Sequence, residues 1–122
     1  MSGTPTNRRE RAERRGRRGE TIAAWYLRLT GWRIVAQRLK TPRGEIDLVA
    51  RRGRTVAFVE VKWRATGAEL ALAIDAYRLR RVAAAAEAVA ARFAQPQDTL
   101  RIDVLLVTPW RKPQRIENAW QP

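Results

Sequence analysis

The 122-residue sequence contains no cysteine and no histidine. The missing cysteines exclude disulfide bonds and thiolate metal sites, and the missing histidines exclude imidazole catalysis and most zinc sites. Any metal site in this chain must therefore use oxygen ligands. Acidic residues are also scarce, since 12 Asp and Glu stand against 25 Lys and Arg, which gives a formal charge of +13. Nucleic acid is the leading partner for such a polycation.

Long apolar stretches are missing too. No run approaches the length of a membrane-spanning helix, and the N-terminus lacks the apolar segment of a signal peptide. No basic amphipathic helix with an aromatic face stands out, which argues against an anionic membrane as partner. We therefore expect a soluble cytoplasmic protein without a membrane partner. The length predicts one domain, and 45% hydrophobic residues are enough to form its core.

The first residues are rich in arginine and almost free of apolar side chains, which predicts a basic disordered arm at 1–16 and a domain at 17–122. The arm either tracks phosphates or is a solvated tail with no specific role. Apolar residues recur at helical spacing over 17–30, and Gly31 is placed to end this helix. Glu20 lies at the border of the apolar stripe. It is either a first-turn residue favoured by the helix dipole or an inward ligand.

A β-hairpin is predicted at the centre of the chain. Two alternating runs, Glu45 to Arg52 and Thr55 to Trp63, flank Gly53-Arg54. A glycine at the first central position fits a type II′ turn of two residues. The turn fixes the register of the two strands, and in this register Asp47 lies opposite Glu60.

Facing carboxylates beside apolar residues repel each other, and a hard divalent cation would explain their position. Mg²⁺ is commonly held by one or two carboxylates together with waters and phosphates. Lys62 would project from the same face as Glu60, where it could stabilise phosphate charge or help to activate a water. The alternative is an ordinary strand with one solvated face, in which Glu60 and Lys62 are surface residues and Asp47 has no special role.

The remaining patterns complete an α/β fold. They predict a strand at Trp32 to Lys40, a turn at 41–44, a loop at 65–73, a helix at about 76–94, a strand at Leu100 to Val107 and a short final strand at Arg115 to Trp120. The order α-β-β-β-α-β with a short final strand predicts a mixed β-sheet flanked by helices, with a parallel crossover before the fourth strand. We expect the site on one face of the sheet, near the first helix.

Several other residues have two interpretations each. Trp63 either stacks a base or covers the core. Asp103, inside an apolar strand, is expected to be structural and paired with an arginine. The candidate phosphate contacts are Arg43, Arg64, Arg78, Arg80 and Arg81. The last three cluster in the second helix, where a solvated basic face is an equal alternative.

The stretch Gly-Glu-Ile-Asp-Leu-Val-Ala at 44–50, followed by Val-Glu-Val-Lys at 59–62, resembles the signature of the YraN family. This family is assigned to the PD-(D/E)xK, restriction-endonuclease-like superfamily and is distantly similar to archaeal Holliday-junction resolvases. The resemblance runs from about Gly16 to Trp120. In the family a Lys-Gln pair stands where this chain has Arg78-Leu79, so the second helix has an apolar residue in place of the glutamine.

The resemblance implies a set of roles. Asp47 and Glu60 would bind Mg²⁺, with Mn²⁺ as an alternative, and the Val61 carbonyl is a candidate third ligand. Lys62 would assist the attacking water. Glu20, in a Gly-Glu pair that matches the family, would be an accessory carboxylate. The implied fold is that of restriction endonucleases.

The leading hypothesis is thus a Mg²⁺-dependent endonuclease that cuts branched or structured DNA, and two cuts in a four-way junction would suggest a homodimer. One alternative is a non-catalytic nucleic-acid-binding protein that keeps the nuclease fold. Another is a small basic assembly protein, for example on ribosomal RNA. A pure binder has no need for Asp47 opposite Glu60, and the assembly protein would bind RNA regardless of Mg²⁺ or of Asp47.

Overall fold

The structure is a computed structural model that describes the backbone of residues 5–63 and 76–117 and the side chains of 17–63 and 79–117. Within these ranges two helices and five strands follow one another. They are α1 Pro5–Leu29, β1 Arg33–Thr41, β2 Gly44–Arg52, β3 Thr55–Trp63, α2 Ala76–Phe93, β4 Thr99–Val107 and β5 Gln114–Ile116. This confirms the predicted α/β order and its short final strand. The predicted loop at 65–73 lies outside the described residues.

The five strands form one mixed sheet in the order β1-β2-β3-β4-β5. Three neighbouring pairs are antiparallel, whereas β3 and β4 are parallel. Parallel neighbours need a long connection, and α2 lies within that connection. Neither described helix is both long and apolar enough to cross a membrane.

The helices cover opposite faces of the sheet. Val56 and Phe58 of β3 belong to the apolar cluster under α2, while the alternate residues Ala57 and Val59 belong to the cluster under α1. All four side chains are fully buried. A strand that is buried on both faces has a nearly continuous apolar sequence, and that explains the Val-Ala-Phe-Val run. Polar residues further along this strand therefore need a specific reason to be there.

Helix α1 begins at Pro5, well before the predicted start at residue 17, and so includes most of the stretch predicted to be a disordered arm. The spacing of charges supports a helix there. Glu10 precedes Arg14 by four residues and Glu13 precedes Arg17 by four, which is the favourable orientation for helical ion pairs. A proline also suits the first helical turn.

The C-terminal end of α1 has the predicted glycine cap. Gly31 has a φ of +96°, its amide donates to the Arg28 carbonyl at 3.1 Å, and the Trp32 amide donates to the Leu27 carbonyl at 2.9 Å. This pair of bonds is the Schellman motif, in which the left-handed position favours glycine. The motif turns the chain directly into β1.

The β2–β3 turn also forms as predicted. Arg52 pairs with Thr55, Gly53 has a φ of +60°, and Arg54 has a negative φ, which is the sign pattern of a type II′ turn. The predicted register holds from this pair to Leu48 opposite Val59, where the regular pairing ends. Asp47, the neighbour of Leu48 on the side away from the turn, is therefore the first residue of β2 outside the regular pairing, and it belongs to the candidate site.

Candidate active site

Strands β1 and β2 have an irregular pleat at the same level. Ala36 pairs with Val49 and Leu39 pairs with Ile46, and all four residues pack in the cluster under α2. In a regular strand, residues three positions apart point to opposite faces. In both strands the side chains must therefore stop alternating regularly between the two faces, within 36–39 of β1 and within 46–49 of β2.

Arg38 and Asp47 lie opposite each other at this irregularity, because the β1–β2 pairs on either side of them set the register. Arg38 has a φ of +50°, in the left-handed region that non-glycine residues rarely adopt. Such backbone strain concentrates at functional sites. On the side that faces β3, Asp47 makes a side-chain contact, since its Oδ2 accepts a hydrogen bond from the Val61 amide at 2.8 Å. Asp47 thus stands where the ladder to β3 has ended.

A cavity of about 270 Å³ opens at this point. Its described lining consists of Arg43, Gly44, Glu45, Asp47, Glu60, Arg81 and Val82. The 41–44 turn supplies Arg43, β3 supplies Glu60, and α2 supplies Arg81. The predicted neighbours Asp47 and Glu60 therefore share one cavity although they are not a ladder pair. The cavity borders α2, whereas the sequence analysis expected a site near α1.

Glu60 and Lys62 form a buried ion pair. The Nζ of Lys62 lies 2.9 Å from Oε1 of Glu60, and the two residues are only 5% and 6% exposed, respectively. Burying two charges is costly unless they are paired. An ordinary solvated strand face does not fit this burial, so that alternative is wrong for these two residues. Lys62 is not part of the described cavity lining. Its ammonium contacts Glu60, and Glu60 does line the cavity.

The carboxyl of Asp47 is a weaker acid than an ordinary aspartate. Burial raises the pKa of its carboxyl to about 7, and the negative charge of Glu60 adds to the rise, while the hydrogen bond from the Val61 amide opposes it. The raised pKa means that a negative charge on Asp47 is unfavourable, first because the carboxyl is buried and second because Glu60 is near. A bound cation would relieve this repulsion.

The residues of the cavity fit a hard divalent cation. Their donor atoms are carboxylate oxygens, which Mg²⁺ prefers, and the repulsion between Asp47 and Glu60 supplies the electrostatic need. Within the described ranges, no three acidic side chains gather into a ligand group. The protein ligands would therefore be a pair of carboxylates, a number typical for Mg²⁺. The Val61 carbonyl remains a predicted third ligand.

Glu20 is bound to an arginine that the sequence analysis missed. Nε of Arg38 lies 2.7 Å from Oε2 of Glu20, and this bond raises the pKa of the Arg38 guanidinium. The charge of Glu20 also contributes to the raised pKa of Asp47. The predicted turn at 41–44 could have pointed to Arg38. A turn that pairs Thr41 with Gly44 places Arg38 opposite Asp47 in the neighbouring strand.

The predicted phosphate contacts divide into three groups. Arg43 and Arg81 line the cavity, and Arg80 is exposed on the same helix. Arg64 and the side chain of Arg78 lie outside the described residues. Leu79 is 4% exposed and packs in the core under α2, so this position contributes apolar packing.

Two further expectations concern a partly buried residue and a fully buried residue on the α1 side of the sheet. Trp63 packs against the α1 cluster, and a Cβ built on Gly19 would lie 3.4 Å from its ring. The covering role is therefore the one that the structure supports. Asp103 is fully buried and its Oδ2 lies 2.8 Å from Nη2 of Arg101. The predicted structural pairing with an arginine is confirmed.

Comparisons with a family profile and with individual proteins point to the same family. The sequence profile described as "Uncharacterised protein family UPF0102" matches residues 19–107. A "UPF0102 protein" of Sphingopyxis alaskensis is 67% identical over 114 residues, which cover 93% of this chain and 98% of the relative. Proteins of the same description from Rhizorhabdus wittichii and Erythrobacter litoralis are 65% and 64% identical, over 93% and 94% of this chain and 97% and 99% of the relatives. This chain therefore belongs to the UPF0102 family, also called the YraN family.

Proposed function

We propose that this protein is a Mg²⁺-dependent endonuclease that hydrolyses phosphodiester bonds in branched or otherwise structured DNA. The observation that carries the proposal is the sharing of one cavity by Asp47 and Glu60, with the pKa of Asp47 raised to about 7. A protein that only binds DNA gains nothing from this pair, because carboxylates repel phosphate. Perturbed carboxylates in a cleft are typical of catalytic sites.

The surrounding residues suggest a division of roles. Arg43 and Arg81, which both line the cavity, would hold backbone phosphates near the bond to be cut. Asp47 and Glu60 would hold Mg²⁺, which when bound polarises the phosphate and lowers the pKa of the attacking water. Lys62 holds Glu60 in place and would orient the water or stabilise developing negative charge. Glu20 would act as an accessory carboxylate through Arg38.

Cleavage assays test the proposal directly. Labelled duplex, single-stranded and four-way-junction DNA would be incubated with Mg²⁺ or Mn²⁺ and wild-type protein, Asp47→Asn or Glu87→Gln. Glu87 is an exposed carboxylate on α2 outside the cavity lining and serves as the matched control. Binding would be followed in Ca²⁺.

We expect metal-dependent cutting that Asp47→Asn abolishes and Glu87→Gln retains, with DNA binding unchanged in both. Cutting that persists in Asp47→Asn would show that another site or a contaminant is responsible. If the junction is the preferred substrate, two cuts call for two active sites, and we then expect a homodimer on that DNA by analytical ultracentrifugation.

One observation favours a second candidate, a DNA-binding protein that does not cut. Leu79 is buried in the core at the position where the family has glutamine, so α2 lacks a polar group there. Leu79→Gln distinguishes the two candidates. An active nuclease should cut without this substitution. A chain that has lost activity through Leu79 should cut only when glutamine is restored.

A further inference from the structure

Trp110 is the most exposed large hydrophobic side chain in the described part of the molecule. Its relative exposure is 101%, compared with 57% for Trp25. Burying an aromatic side chain of this size is strongly favourable, so a tryptophan that is fully in water forgoes a large stabilisation. A turn at this position has no need for such a side chain.

The backbone of Trp110 adds a second cost. Its φ is +63°, the left-handed region, where a bulky L-residue is destabilised and glycine or asparagine is preferred. A residue that is both strained and exposed is poorly suited to a purely structural role. The combination points to a ligand that uses the free face of the indole ring.

The position of Trp110 relates it to the candidate active site. Val107, the last residue of β4, pairs in parallel with Trp63, the residue after Lys62. Trp110 follows Val107 by three residues, so their Cα atoms are no more than about 11 Å apart. Trp110 therefore lies in the chain just beyond the C-terminal end of β4, which is beside the end of β3 that carries Glu60 and Lys62.

The charge around Trp110 indicates the class of ligand. Arg111 and Lys112 follow it directly and both are exposed. The chain as a whole has a formal charge of +13. A planar aromatic platform beside cations is the arrangement with which proteins bind single strands, because bases stack on the ring and phosphates contact the charges.

We propose that Trp110 stacks on an unpaired nucleobase while Arg111 and Lys112 contact the adjoining phosphates. The inference rests on the proposed nucleic-acid role but not on cleavage. It narrows the substrate to DNA that exposes an unpaired base near the cut, such as a flap, a frayed branch or a single-stranded arm.

Fluorescence anisotropy in EDTA tests binding without cutting. The probes are fluorescein-labelled oligo(dT) and an abasic oligonucleotide of equal length, which keeps the phosphates but has no bases. The proteins are wild type, Trp110→Ala, Trp110→Phe and Trp25→Ala. Trp25 is an exposed tryptophan whose ring is already covered by the Arg28 guanidinium at 5.2 Å, so it is the matched control.

We expect Trp110→Ala to weaken oligo(dT) binding about fivefold to a hundredfold, Trp110→Phe far less, and Trp25→Ala by less than about twofold. None of these variants should change binding to the abasic probe. Unchanged oligo(dT) binding by Trp110→Ala, or an equal loss on the abasic probe, would overturn the stacking site alone. A wild type that binds neither probe would overturn the nucleic-acid role as well.

Discussion

The carboxylate of Asp47 takes the place of a backbone carbonyl as the acceptor of the Val61 amide, at 2.8 Å. Regular β2–β3 pairing, followed from the turn, ends at Leu48 and Val59, so Asp47 is the first residue of β2 beyond it. A titrating side chain thus stands at the point where the two strands separate. The protonation state of Asp47 should therefore influence both the stability of the domain and its affinity for cations.

Stability should fall as pH rises towards neutrality. The pKa of Asp47 is 3.8 in its ordinary state and about 7 in the fold, so between these values the folded protein holds a proton that the unfolded chain lacks. This stabilises the fold at low pH and is lost as pH rises through about 7. In metal-free buffer, urea unfolding should show wild type losing a few kcal/mol between pH 5 and 8.

Asp47→Asn should lack most of this pH dependence and should be more stable than wild type at pH 8, since asparagine carries no charge. Glu87→Gln should follow wild type. Asp98 and Glu117, whose pKa values are lowered, change charge mainly below this window. The same slope in wild type and Asp47→Asn would show that the raised pKa belongs to another group.

Added Mg²⁺ should stabilise wild type at pH 8 but not Asp47→Asn. A metal binds the deprotonated carboxylate, so the apparent affinity should fall below pH 7, by up to about tenfold per pH unit for one competing proton. Thermal unfolding at a series of Mg²⁺ concentrations measures this effect. Equal stabilisation of both proteins would place the metal elsewhere.

Replacing Lys62 with methionine should destabilise the protein by about 3–5 kcal/mol, because it leaves a buried carboxylate without this ammonium. The loss should be larger at pH 8 than at pH 5, because the raised pKa of Asp47 keeps that carboxyl protonated at pH 5 and leaves one negative charge fewer without the ammonium. Arg80→Met, an exposed site on α2, should change the free energy of unfolding by less than about 0.5 kcal/mol. Similar losses in both variants by urea denaturation would argue against a buried pair.

Gly19 should tolerate alanine but not leucine. A Cβ at this position would make ordinary contact with Trp63 at 3.4 Å. Alanine should add about 0.5–1 kcal/mol of stability to the helix. Leucine should overpack the junction between α1 and β3 and cost about 1–3 kcal/mol. Melting temperatures of the two variants compare these effects, and destabilisation by alanine would indicate a closer approach of α1 to the sheet.

Glu20 and Arg38 should act as one unit in DNA cleavage. Glu20→Gln and Arg38→Gln should lower activity to similar extents, and the double variant should be no worse than either, because each single change removes the same ion pair, whose atoms are 2.7 Å apart. Affinity for Mn²⁺ should stay close to that of wild type in both. A loss of Mn²⁺ binding in Glu20→Gln alone would instead make Glu20 a direct metal ligand.

Local sequence patterns were sufficient for much of the fold. The Gly53-Arg54 turn fixed the β2–β3 register, and Gly31 marked the end of α1. The irregular pleat at Arg38 and Asp47 was not predictable, because alternation assumes regular strands and the deviation depends on packing against both helices. The border of the cavity with α2 likewise depends on tertiary packing, which brings Arg81 to the strand residues.

The turn at Gly53-Arg54 also has a consequence for the order of assembly. It joins β2 and β3 with two residues, whereas β3 meets β4 only after α2 has been traversed. Contacts between nearby residues form fast, while distant parallel pairing is slow. We expect the strand pair that carries Asp47 and Glu60 to form first, with higher φ-values than β4 in folding kinetics; higher values in β4 would reverse this order. On the ribosome, the acidic pair would then meet before the strand that encloses it has been synthesised.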